Sequence, residues 1–201
     1  MQSAFILLHL TSFQCVRWWL RSVLLAFFLL FFCHTDMQAA EIQLTQASLE
    51  ATGNGYRLST AYSFELNHSL EDALMRSVPL YFTTDVRLTR QRWYWFDEIS
   101  VSVSRTVRIS FNVLTRQYHA STSDQLQQNF SSLEDVLALI RRPPRWIIAD
   151  ENALKSGDVY KVSLRLRLDV TQLPKPFQID ALNNSDWRLS SDWKEFTFKV
   201  E

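Results

Sequence analysis

The sequence predicts a mainly β chain, folded as an antiparallel β-sandwich with two short helices in its crossover connections. Three observations predict it. Polar and apolar residues alternate with period two through several stretches, Gly53-Asn54-Gly55 marks a hairpin between the first two of them, and two similar segments, SLEDALMRS and SLEDVLALI, interrupt the alternation.

The elements follow in order. EIQLTQASLEA opens the strands from Glu41, and glycine and asparagine at 53–55 accept the positive φ a tight hairpin requires. In YRLSTAYSFELN, residues Tyr56, Leu58, Thr60, Tyr62, Phe64 and Leu66 share one face while Arg57, Ser59, Ser63, Glu65 and Asn67 share the other. The first helix is expected from Ser69, capped by that serine with Asp72 reaching back, and burying Leu70, Ala73 and Leu74. VPLYFTTDVRLTR, RWYWFDEISVSV, TVRISFNV (through Val107, Ile109, Phe111 and Val113) and TRQYHAS then read as four strands. The second helix starts at Ser132, with Asp135 as the reciprocal partner and Leu133, Val136, Leu137 and Ile140 on its apolar face. It ends at or before Arg142, because proline at 143 disfavours helical geometry in the preceding residue. RWIIA, VYKVSLRLRLDV and DWKEFTFKV bring the set to about nine strands, broadly immunoglobulin-like. A lipocalin-like barrel is the alternative, weakened by the two helices and by only 3 glycines. The two SLED segments are read as convergent capping rather than duplication, since their flanking strands do not repeat.

Residues 1–39 have a different character. Arg17 and Arg21 precede the apolar run Val23–Cys33, which polar and small residues follow, the pattern of a signal peptide cleaved near Ala39. As a helix that run reaches about 16 Å, half a bilayer core, so cleavage is preferred to an inner-membrane anchor over residues 17–33. The segment from Val16 reads as a complete signal peptide by itself, so translation is expected to start at Val16, with residues 1–15 a start-site artefact. The expected mature chain, residues 40–201, is then a single periplasmic or otherwise exported domain. Cys15 and Cys33 both fall in the leader, so the mature chain lacks cysteine and relies on its core, which at about 160 residues buries roughly 70% of the unfolded surface. A lipid anchor at Cys33 is not expected, because LLFF precedes it instead of small residues.

Charge and motifs exclude more than they assign. Without the leader, 19 basic residues face 20 acidic ones, a net charge of −1 that offers no general attraction to nucleic acid or anionic lipid. No serine stands in a glycine-flanked elbow, His68 and His119 lie on different elements, and 3 glycines build no phosphate loop. No His/Asp/Glu spacing suits a metal, and the pairs Glu71-Asp72 and Glu134-Asp135 suit first helical turns. The expectation is a non-catalytic protein without a cofactor, bound to the membrane only through its leader before cleavage.

Arginine offers more, outnumbering lysine 14 to 5 after residue 39. Arg87, Arg90 and Arg92 lead into Trp93 and the rest of WYWF, and Arg141, Arg142 and Arg145 surround Pro143-Pro144 before Trp146. Arginine beside aromatics suits an acidic protein partner. The plainer reading pairs these arginines across strands with Asp85, Asp169 and Glu65. The two prolines mark Trp146-Ile147-Ile148 as an edge or sheet-switching strand. Its open backbone and nearby positive charge suit β-addition of an acidic segment, although charge on an edge also prevents aggregation, and the sequence favours that protective role.

LPKPFQ and DWRLSSDW, with ELNHSLEDALMRSVPLYF, RWYWFDE and LTRQY in this order, resemble an uncharacterised proteobacterial family, the domain-of-unknown-function family 4390. The likeness runs from about Glu65 to Trp193. It implies an exported envelope protein with no assigned activity and no catalytic residues. It also implies a gene near a two-component sensor kinase, and hence a partner in envelope signalling.

Within LPKPF, Pro174 and Pro176 predict an extended segment in a long crossover between sheets. Leu173, Phe177, Ile179 and Leu182 would plug the sandwich end, with Trp187 and Trp193 closing it as a seam rather than as a ligand groove. Burial of Trp187 is the test. The function expected first is a protein-interaction module of the envelope; the alternative is a carrier or sensor of a small hydrophobic ligand held between the sheets.

Overall fold

The first alternating run reverses at the glycine turn. β1 (Gln43–Thr52) pairs antiparallel with β2 (Gly55–Ser63), Thr52 opposite Gly55, with one bulge between Leu44 and Gln46. Only Gly55 of the three turn residues has a positive φ, 123°, and a Cβ there would lie 2.2 Å from the carbonyl oxygen of Ala149. Glycine is therefore required at this turn by both conformation and space. The computed structural model describes residues 41–92, 94, 96–122 and 125–201, so the leader and Trp93 lie outside the described residues. The described residues all belong to one compact unit.

α1 (His68–Met75) follows β2 and buries Leu70, Ala73 and Leu74 as the periodicity requires. Its cap is Asn67, whose Oδ1 accepts the Leu70 N–H at 3.0 Å. The predicted cap, Ser69, instead donates to Asp186 Oδ2 at 2.6 Å. β3 (Leu80–Arg90) and β4 (Glu98–Asn112) come next, and β4 absorbs two predicted strands into one of 15 residues. β5 (Gln117–Thr122) pairs with β6 (Gln125–Phe130), a strand the sequence reading misses because QLQQNF lacks apolar alternation. α2 (Leu133–Arg141) is capped by Ser132 as predicted: its Oγ accepts the Asp135 N–H at 3.1 Å and donates to the Asp135 carboxylate at 2.6 Å. Val136, Leu137 and Ile140 are buried. β7 (Trp146–Ala149), β8 (Val159–Leu168), α3 (Lys175–Asn183) and β9 (Lys194–Lys199) complete the chain.

The strands form two antiparallel sheets, β1-β2-β7 and β6-β5-β4-β3-β8-β9; neither closes into a barrel. α1 and α2 lie in two of the three connections that change sheet, from β2 to β3 and from β6 to β7; the third runs from β7 to β8. Both sheets feed one core. Phe64, just past β2, stacks on Phe82 of β3 at 5.6 Å, and Tyr56 meets Phe198 edge-on at 5.8 Å. Leu58, Phe82, Tyr160 and Leu164 are among the largest fully buried side chains, each worth about 1.5–3 kcal/mol on burial.

The LPKPF segment differs from expectation in two ways. It is helical, because Pro174 stands at the cap and Pro176 in the first turn, where the missing N–H would be unpaired in any case. It also links β8 to β9, neighbours in the same sheet, so it is not a crossover between sheets. The returning chain pairs with β8 before β9 begins, with Leu168 N–H to Leu189 O at 2.7 Å and Ser191 N–H to Leu166 O at 2.8 Å. Leu173 and Trp187 are buried, 3% and 6% exposed, so the seam expected of them is present. Ile179 and Leu182 point outward, and Trp193 is half-buried, with the guanidinium groups of Arg87 and Arg165 4.7 and 4.6 Å from its ring centre. No helix among the described residues is long and apolar enough to cross a membrane.

Candidate functional site

Proline dictates the local structure at the arginine cluster. α2 stops at Arg141, and Arg142 caps it, its N–H donating to Ala138 O at 2.9 Å. Pro143 and Pro144 carry the chain to β7, the short edge strand predicted there. β7 pairs with β2 only through Tyr56, Arg57 and Leu58. Beyond Leu58 the strand β2 continues to Ser63 with β1 on one side and no strand on the other among the described residues.

Alternation shows which backbone groups face the uncovered side. Ala61 O accepts from Thr45 Oγ1 of β1 at 3.0 Å, so it faces β1. Phe64 O accepts from Arg141 Nε at 3.0 Å, so it faces the linker. By parity, Thr60 and Tyr62 also direct N–H and C=O toward the linker. Continuing the Leu58–Trp146 register puts Thr60 opposite Pro144, which has no N–H, and Tyr62 opposite Arg142, whose N–H is already donated within the cap. The carbonyl of Pro144 accepts from Arg105 Nη1 at 3.2 Å. The linker thus leaves this part of β2 without a backbone partner. A groove of about 1020 Å³ lies here, lined by residues 59–65 of the β2 segment, Thr45 and Gln46 of β1, Glu134, and the linker from Arg141 to Arg145.

The three arginines have different roles. Arg141 is fixed: besides Phe64 O it pairs with Glu134, and its guanidinium stands 5.6 Å from the Phe64 ring centre. Arg142 and Arg145 are exposed and have no ion-pair partner among the described residues. Trp146 is half-buried, with the Arg105 guanidinium 5.7 Å from its ring. Arg105 is the residue the sequence reading missed. It is 7% exposed, on the inner face of β4. The signal was present, since Val107 and Ile109 point inward and two residues back along the same alternation is Arg105.

Arg90 and Arg92 do not join this groove. They lie at the β3–β4 connection of the large sheet, where Arg90 binds Glu98 at 2.6 Å and Asp158 at 2.8 Å, and Arg92 also pairs with Glu98. Hydrogen bonds from Arg90 and then Arg92 hold the Glu98 carboxyl below its ordinary range. Trp93, expected beside them, lies outside the described residues.

Two of the three carboxylates expected to pair with arginine do so, Asp85 across strands and Asp169 along its own segment, through Arg165 and Arg167. Asp85 is held by Arg165 at 3.0 Å and Arg167 at 2.9 Å, and Arg167 also reaches Asp169 at 3.0 Å. Burial raises the affinity of Asp169 for its proton, but hydrogen bonds from Thr171, Gln172 and Arg167 together outweigh it and leave its pKa lowered. Glu65 lines the groove instead.

Residues 39–197 match the family described as "Domain of unknown function (DUF4390)". Neither a curated protein nor a solved structure matches the chain.

Proposed function

The chain belongs to the DUF4390 family, and from that premise we propose a non-catalytic, exported envelope protein that acts as a protein-interaction module. The single observation that carries the reading is the groove: an unpaired stretch of strand edge beside two exposed arginines that form no ion pair among the described residues. Export rests on the signal-peptide pattern of residues 1–39, and a partner in sensor-kinase signalling rests on the family resemblance alone. A β-sandwich is supported by two antiparallel sheets with one shared core. The immunoglobulin-like version has less behind it, because β3, β4, β5 and β6 lie side by side in sequence order, unlike the interleaved sheets of that fold. The carrier alternative draws no support from the core, where Leu58, Phe82 and Tyr160 fill the space between the sheets. Affinity capture from envelope extracts tests the module. One partner recovered reproducibly is the expected result, and none across growth conditions would count against it.

A further inference from the structure

We infer that the groove is a strand-docking site in which β2, and not the edge strand β7, receives an extended acidic segment of a partner protein. The inference rests on the interaction-module reading and names the occupant of the same groove.

Main-chain chemistry supplies the first half. The N–H and C=O groups of Thr60 and Tyr62 face the groove without a backbone partner among the described residues. The linker does not supply one: Pro143 and Pro144 lack N–H groups, the Arg142 N–H is committed to Ala138 O, and the Pro144 carbonyl to Arg105. An added strand pairs every second residue with such an edge and takes its affinity from those bonds. The floor suits close approach, because the outward residues Ser59, Ala61 and Ser63 are all small.

Charge supplies the second half. Glu134 is paired with Arg141, which leaves Arg142 and Arg145 against Glu65 on the walls, a local excess of positive charge in a chain of balanced composition. Acidic side chains on the docked segment would be attracted to one wall, and a basic segment repelled by it. β7 suits docking less well: it is only 4 residues long, and alternation turns only about half of them outward.

The test uses a phage-displayed random octapeptide library, panned against the purified protein. Selected peptides are expected to be acidic. They should bind the R142E/R145E variant at least tenfold more weakly, and lose at least tenfold on N-methylation of alternate amides. Peptides without acidic bias, peptides indifferent to N-methylation, or no selection above background would each overturn the proposal. A peptide held by charge alone would fail the methylation arm. Thermal melting checks the variant's fold, and R142Q/R145Q, expected to weaken binding in the same direction, replaces it if charge reversal perturbs the protein. A concentration-dependent dimer dispersed by R142E/R145E would assign the edge to a second copy and also overturn it. If R142E/R145E captures the same envelope partner as the unaltered chain, the groove proposal fails while the module reading stands. If neither captures any partner, the module reading fails.

Discussion

Arg141 and Arg142 are adjacent in sequence and opposite in consequence. Arg141 donates to a main-chain carbonyl, pairs with Glu134 and covers the Phe64 ring, so Arg141→Ala should cost about 1–2 kcal/mol. Arg142→Ala and Arg145→Ala should each stay within about 0.5 kcal/mol, since neither side chain has a described partner. Urea titration of the three variants checks both values. A triple arginine-to-glutamate exchange would mix a stability defect with a binding defect, which is why the docking test spares Arg141. Asp169 adds a pH-dependent term. Its folded pKa is depressed, so its contribution is complete above the ordinary aspartate value near 4 and is lost as pH falls through the lower native value. Melting temperatures measured from pH 7 to 3 should therefore fall less steeply below about pH 4 for Asp169→Asn than for the unaltered chain. The variant should also be less stable at pH 7, because Arg167 loses one of its two carboxylates.

The β1–β2 hairpin depends on one residue at its turn. Gly55→Ala would place a methyl group against Ala149 O in a backbone conformation that alanine rarely adopts, and should cost at least about 2 kcal/mol. Gly53→Ala, with open space around it, should be nearly neutral by thermal melting. Sequence legibility at this scale follows the physical signal. Strands β2 and β8 were legible because each buries one face and wets the other, and α2 because a serine cap precedes its apolar stripe. β6 was not, since a polar edge strand has little alternation to reveal it. Arg105 interrupts the apolar face of β4 and so made one strand look like two. α3 was hidden by its prolines, which disfavour helix interiors but are accepted in a first turn. Of the candidate site, the arginines and the edge character of β7 were legible, whereas the uncovered part of β2 depends on a pairing between distant segments.

Across the whole molecule, the return from β8 to β9 closes one end of the core. Trp187→Ala should cost about 3–5 kcal/mol, because its ring is buried beside Phe177, with the ring centres 6.1 Å apart. Leu182→Ala in the same connection should cost little, its side chain being mostly exposed. Denaturant unfolding separates the two. The small sheet has a consequence in time as well as in space. β1 and β2 lie next to each other in the chain, but β7 reaches them only about 90 residues later, after the whole β3–β6 meander. A chain emerging from its N-terminus therefore presents the entire linker-side edge of β2 to its surroundings until α2 and β7 have followed. Any polypeptide that binds the residual edge of the finished protein meets a longer version of the same edge while the chain is still folding. A segment suited to the groove could thus also act as a temporary β7, shielding the nascent hairpin from self-association and leaving its outer part when the chain's own strand arrives.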